Sequence, residues 1–406
     1  MYFVHLETRL EISTLRYYGL AAAALWLPVH CHAQSNVTIY GKLYPEITSV
    51  RTSGATAPGT RVSTLGTAPT GVNLDSTTEV EASDSWFGFR GSEKLGADWT
   101  VIWQIEGTVA VDTGVGSMAA RNTHVGIVGP IGTLRVGKID TVYKSIGDTL
   151  SFLGVGPRNH VSHNNVISKA GFGNNISSSF HLRRDNSVRW ESPKLCAVQL
   201  HAQYSPDEAK TETRDASLQS YGVTYAQGNL YAALAHEIHD DFFGGSRNSP
   251  AALSNFANMN ASAKDTATRF SLKYAMGRTT AEFDYAWKKY KETGGAAGRF
   301  GEYKNGSWLV GLQHRLGDAL TLATSYMVGK EGSCSLAGGG ACSTEGLDAR
   351  QINLGASYAF SKRTYLFLIA SQLKNGKSAT FSNMANNVPA AGADITQASL
   401  GVSHSF

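Results

Sequence analysis

The chain has no apolar run long enough to cross a bilayer as a helix. Its longest nearly apolar stretch, Gly19 to Val29, spans eleven residues, against the ~20 that a spanning helix needs. A mean hydropathy of −0.19 likewise excludes a polytopic helical membrane protein. Charge is scarce: Asp, Glu, Lys and Arg make up 17% of 406 residues, where a soluble protein carries roughly 25%. The formal net charge of +4 is too small to argue for a nucleic-acid partner. Cysteine occurs only four times. What the chain has in quantity is glycine, 43 residues, together with aromatic and uncharged polar side chains.

The amino terminus reads as an export signal. Tyr17 to Leu27 form an apolar h-region preceded by Arg9 and Arg16 and broken by Pro28. Cys31-His32-Ala33 places small residues at the −3 and −1 positions of a cleavage site. The expected division is therefore a signal peptide over 1–33 and a mature chain over 34–406, beginning Gln34-Ser35-Asn36-Val37. Glu7 and Glu11 offset the two arginines, which leaves a start downstream of Met1 open.

Cysteine usage agrees with export. Cys31 leaves with the signal, and Cys334 and Cys342 bracket a Gly-rich segment that can close as a small disulfide loop in an oxidising compartment. Cys196 is left without a partner and reads as a small buried residue at a turn.

Beyond Gln34, segments of about ten residues alternate apolar and polar side chains, the period of a strand with two different faces. Val101, Trp103 and Ile105 oppose Thr100, Gln104 and Glu106; Phe283, Tyr285 and Trp287 oppose Glu282, Asp284 and Lys288. Seven short connections, at 92–97, 129–132, 193–196, 227–229, 277–278, 316–318 and 361–363, alternate with eight longer polar ones, at 51–83, 113–119, 140–185, 206–217, 239–264, 291–304, 330–348 and 374–395. Fifteen connections imply sixteen strands, and short turns at one end with long loops at the other describe an outer-membrane β-barrel. A β-sandwich has no reason to alternate its connections this way. In lipid only a closed barrel satisfies every backbone group. Pro45 falls inside the first strand, where it cannot donate to a ladder.

Five segments carry a resemblance: 37–41 (VTIYG), 87–96 (FGFRGSEKLG), Arg121-Asn122, 186–193 (NSVRWESP) and the terminal His404-Ser405-Phe406. In this order they resemble the Gram-negative general-diffusion porins, the β-proteobacterial type most closely. The resemblance implies an all-β, sixteen-stranded antiparallel transmembrane barrel with short periplasmic turns and long extracellular loops. It also implies a homotrimer embedded in outer-membrane lipid and lipopolysaccharide. The third long loop, 140–185, would fold into the lumen as a constriction, and Phe406 would be read by the outer-membrane insertion machinery.

Such a pore does no chemistry; it selects by diameter and by the charge at its narrowest point. Alternation sends Trp86 and Arg90 into the lumen, because Phe87 and Phe89 face out. It also sends Arg189 and Glu191 inward, with Val188 and Trp190 outward. The family's wall arginine cluster carries over to Arg121, Lys138 and Arg189. Trp86 stands where the family usually has Arg, and Arg135 is the candidate to compensate, since Leu134 and Val136 should face lipid. Glu106, Asp140 and Asp148 are the candidate acids of the eyelet. The third loop carries Lys144, Arg158, Lys169, Arg183 and Arg184 against Asp140, Asp148 and Asp185, with His160, His163 and His181 besides. A mild anion preference is therefore expected.

Other constellations carry less. His160-x-x-His163 lies on a Gly/Asn-rich loop with no carboxylate or cysteine nearby in sequence, so no metal and no cofactor is expected. No Gly-x-Ser-x-Gly marks a nucleophile, and no enzyme activity is expected. Tyr40, Tyr44, Trp99, Tyr225, Tyr285, Trp287 and Tyr326 are candidates for interfacial aromatic girdles. The expected function is passive diffusion of ions and small hydrophilic solutes. A porin selective for small organic anions or phosphate is the alternative, and a barrel enzyme or adhesin a more distant one.

Overall fold

The computed structural model describes residues 36–406, except 83, 149–151, 155–158, 174 and 209. The proposed signal segment 1–33, with Cys31 and Ala33, and Arg158 lie outside the described residues.

Sixteen antiparallel strands close into one barrel. Strand β1 runs as Asn36–Leu43 and Glu46–Ser53, β2 as Thr77–Glu81 and Trp86–Gly96, β3 as Trp99–Val109, and β4 as Gly116–Ser117 and Thr123–Gly129. Then come β5 (Gly132–Asp140), β6 (Arg183–Glu191), β7 (Val198–Pro206), β8 (Ser217–Gln227), β9 (Leu230–Asp240) and β10 (Ser262–Met276). The circuit continues with β11 (Thr279–Thr293), β12 (Phe300–Leu316), β13 (Leu320–Gly329), β14 (Ala349–Ala359), β15 (Thr364–Asn375) and β16 (Asp394–Ser405). Each pairs with its sequence neighbour, and β16 closes on β1 with Lys42 opposite Ser405 and Glu46 opposite Gly401. A further short strand, Ser333–Leu336, lines up on β12 within the seventh long loop. There Cys334 and Cys342 form a disulfide.

The break in β1 falls at Tyr44-Pro45. Pro45 has no N–H to give to the ladder, but its carbonyl still accepts from Val402 N at 3.1 Å. The N–H just before the proline is rescued by a side chain, since Tyr44 N donates to Ser85 Oγ at 2.8 Å.

Burial is inverted relative to a soluble protein. Outward side chains such as Val37, Ile39, Ile47 and Leu368 are exposed, whereas Glu46, Thr48, Gln351, Asn353 and Gln397 are buried. Alternation alone produces this, because successive side chains leave a strand on opposite sides. Tyr40 and Tyr44 depart from the girdle expectation. They share the inward phase opposite Val37 and Ile39, and Tyr44 stacks inside on Phe367 with ring centroids 4.3 Å apart. Cys196 is also corrected. It is exposed, at a turn with φ of +56°, because the β6–β7 turn projects beyond the barrel wall.

The apolar material inside the barrel comes mainly from the long connection 141–182. Its Val142, Ile146, Phe172 and Phe180 pack with Ala233, Ala235, Tyr290 and Phe300. Val166 and Ile167 pack with Leu309, Met327 and Phe381. Burying one such side chain contributes about 1.5–3 kcal/mol. Gly222 on β8 leaves the notch that Ile146 fills; a Cβ there would lie 2.4 Å from Ile146 Cδ1.

Candidate functional site

The connection 141–182 is held to the inner wall by polar contacts that run round the barrel from β8 to β1. Tyr143 N donates to Ser220 Oγ at 3.0 Å on β8, and Tyr231 Oη on β9 donates to Ile146 O at 2.8 Å. Lys288 Nζ on β11 donates to Ile167 O at 2.7 Å. On β14, Gln351 and Asn353 donate to the carbonyls of His160 and Val161 at 2.8 and 2.9 Å. His160 bonds Ser371 Oγ on β15 and Ser399 Oγ on β16, at 2.9 and 2.8 Å. Asn159 Nδ2 donates to Glu46 Oε1 on β1 at 2.7 Å. The His160-x-x-His163 pair is thereby split: His160 is held by two serines, while His163 Nδ1 lies 4.0 Å from Glu282 Oε2. Burial pushes these two imidazoles down to about 3 and about 4, so neither adds positive charge at neutral pH.

Among the described residues, the lumen stays open beside β2–β6. There a cavity of about 510 Å³ is lined by Thr38, Arg90, Gln104, Asn122, His124, Arg135, Asp140, Arg189 and Glu191, among others. Arg135 Nη1 and Arg189 Nη2 both reach Glu191 Oε1, at 2.9 and 3.0 Å. Arg183 Nη2 and Lys144 Nζ converge on Asp140 Oδ1 at 3.0 and 2.6 Å. Asn122 Nδ2 donates to Asp140 Oδ2 at 2.9 Å. Glu106 accepts from Tyr40 Oη at 3.1 Å and lies 3.8 Å from Arg121 Nε. Two cations rest on rings: Arg90 lies 4.6 Å from the Tyr40 centroid, and Arg121 lies 5.4 Å from that of Trp86. Trp86 meets Tyr40 edge-on with centroids 5.4 Å apart. It therefore supplies an aromatic shelf for an arginine.

Six basic side chains, Arg90, Arg121, Arg135, Lys144, Arg183 and Arg189, thus gather with three acids, Glu106, Asp140 and Glu191, among the described residues. Three other candidates stand apart. Lys138 shares the outward phase of Leu134 and Val136 and pairs with Asp185 at 2.9 Å. It sits at a ladder irregularity, between Gly137 and Ile139 in the pairing with β6. Arg184 lies over Phe242, 4.9 Å from its centroid. Asp148 belongs to the far wall, 3.2 Å from Arg269 Nη1 and bonded to His181. The strand phase already implied that Tyr40 faces the lumen. Arg269, by contrast, carries no local mark, since its partner Asp148 is 121 residues away.

A closed barrel with an apolar exterior and a polar lumen, on whose inner wall one long connection is hydrogen-bonded, defines a membrane channel. A family model described as Gram-negative porin matches residues 19–378, and the chain belongs to that family. The major outer membrane protein P.IB of Neisseria lactamica is 24% identical over 353 residues, 86% of this chain and 90% of that protein. Among solved structures, the anion-selective porin from Comamonas acidovorans matches with a TM-score of 0.67 at 21% identity, over 92% of this chain and 100% of that one. OmpT of Vibrio cholerae, solved in a trimer form, matches with a TM-score of 0.61 at 14% identity, over 92% of this chain and 99% of that one. The chain is a multi-pass barrel of the Gram-negative outer membrane that passes ions and small hydrophilic solutes by passive diffusion, a channel and not an enzyme.

Proposed function

We propose that this channel prefers anions, through the wall β2–β6 beside which the lumen stays open. The observation that carries this reading is the balance at that wall, six basic side chains against three acids among the described residues. At the lumen surface each surplus charge acts on a passing ion at short range. An interaction of about 4 kcal/mol at 4 Å and an effective dielectric of 20 is large enough to bias permeation. Arg90 rests on a ring rather than on an acid, and Arg135 shares Glu191 with Arg189, so neither is fully neutralised. The Comamonas relative is an anion-selective porin, which supports this assignment.

The same reading includes assembly as a homotrimer with lipid and lipopolysaccharide around it, supported by the trimer form of the Vibrio relative. It also includes export with cleavage after Ala33. The reversal potential in a planar bilayer under a potassium chloride gradient tests the preference. A chloride-directed potential supports it, and a potassium-directed one transfers control to Glu106, Asp140 and Glu191. Saturable block of conductance by one organic anion or by phosphate would narrow the reading to a substrate-selective porin.

A further inference from the structure

We propose that His163, Glu282 and Asp284 form a binding site for one divalent transition-metal ion of the zinc class, tying the constriction segment to β11. One ligating atom from each residue can be chosen so that all lie within 4.8 Å of one another. Tetrahedral ligands held at about 2.0–2.2 Å from zinc stand roughly 3.3–3.6 Å apart, so a pair at the 4.8 Å limit must close by about 1.2–1.5 Å, which side-chain rotation has to supply.

A second, independent observation points to a ligand. Glu282 and His163 are almost fully enclosed, with side chains 0% and 6% exposed. Among the described residues, neither carboxylate oxygen of Glu282 has a hydrogen-bond partner, and neither does His163 Nε2. An enclosed carboxylate with no donor costs several kcal/mol, and the relief at hand without an ion is a proton shared with Asp284. Arg269 is committed to Asp284, donating from Nε to Oδ1 and from Nη2 to Oδ2 at 3.2 Å each, and to Asp148 Oδ1 at 3.2 Å. Ser271 donates to Asp284 as well.

A dication would offset the second wall carboxylate, and the donor set decides its class. One imidazole nitrogen with two carboxylates suits zinc-like ions, whereas calcium and magnesium favour all-oxygen shells. Arg269 would serve as the outer partner that orients Asp284. Since one ligand belongs to the connection 141–182 and two to the wall, occupancy would couple the loop's position to the metal.

The test is zinc binding to the folded, EDTA-stripped barrel in detergent, followed by calorimetry and by competition with a chromogenic chelator. Folding is checked in each variant by its heat-modified gel mobility. The expected result is saturable binding of one Zn²⁺ per chain that excess Mg²⁺ does not displace. Glu282→Gln and His163→Asn should each weaken it by at least about 10-fold, while His314→Asn, whose ring pairs with Thr279 away from this segment, leaves it unchanged. Absence of saturable binding by the folded wild type overturns the proposal and leaves a proton shared between Glu282 and Asp284 as the account of the buried pair. Binding that survives both substitutions overturns it too. The readout is independent of ion preference, so this inference and the functional reading fail separately.

Discussion

The two sides of the lumen are built from the same alternation and put to opposite uses. From β8 round to β1 the inward polar side chains are spent on the constriction segment. Ser220, Gln351, Asn353 and Ser399 are buried and hydrogen-bonded to it or to its side chains. On β2–β6 the inward side chains instead face a cavity of about 510 Å³, and their charges pair only incompletely. An inward polar residue thus has two fates, anchor or lining, and the loop's course decides between them. The distinction matters energetically. A buried anchor loses its water and must find a partner, whereas an exposed lining arginine such as Arg90 retains its field for passing ions.

Reversing charge on the open wall should give the largest effect. Arg90→Glu with Arg135→Glu leaves four bases facing five acids, and the reversal potential under a potassium chloride gradient should change sign. The same pair of substitutions should leave heat-modified gel mobility close to wild type, because both side chains border the cavity. On the anchored side, Arg269→Met strands Asp148 and Asp284 without their shared guanidinium. Removing one partner from a buried ion pair costs about 3–5 kcal/mol, so thermal unfolding in detergent should move down by several degrees while selectivity changes less.

A smaller effect is expected from Gln351→Ala with Asn353→Ala. These remove the β14 donors to the carbonyls of His160 and Val161, at about 1 kcal/mol each; Asn165 and Asn383 still donate to the His160 carbonyl. Single-channel records should then show more frequent brief closures at unchanged reversal potential. Acid should loosen the same anchor. His160 is held neutral by burial, its pKa about 3 against 6.5 when unfolded, so the unfolded state binds the proton first. Stability therefore rises with pH between those values and is lost as pH falls below 6.5, by at most about 1.4 kcal/mol per unit. His160→Gln should flatten the dependence of unfolding temperature on pH between 4 and 6.5. Cys334→Ser with Cys342→Ser should matter least. The bridge spans a separation of only 8 residues within one long connection, so the barrel's unfolding temperature should hardly change.

Several features of the site were readable along the chain, and others were not. Arg90, Trp86, Arg135, Arg189 and Glu191 declared their inward phase through apolar neighbours on both sides. Tyr40 did so equally, but its aromatic ring suggested a girdle at the membrane surface. Lys138 matched a motif position yet follows the outward phase, where Asp185 neutralises it. His163 gave no sign of carboxylates because Glu282 and Asp284 lie about a hundred residues further on.

By itself the sequence determined the barrel. A two-residue period, an apolar outer face and alternating short and long connections admit one way to satisfy backbone groups in lipid. It also determined which residues turn inward, since side-chain direction follows from position in the strand. The tertiary structure alone decided which inward residues meet water and which meet the constriction segment, and hence which charges remain to act on ions. That outcome depends on contacts such as Asp148 with Arg269 and Asn159 with Glu46, more than a hundred residues apart, and no local period encodes them.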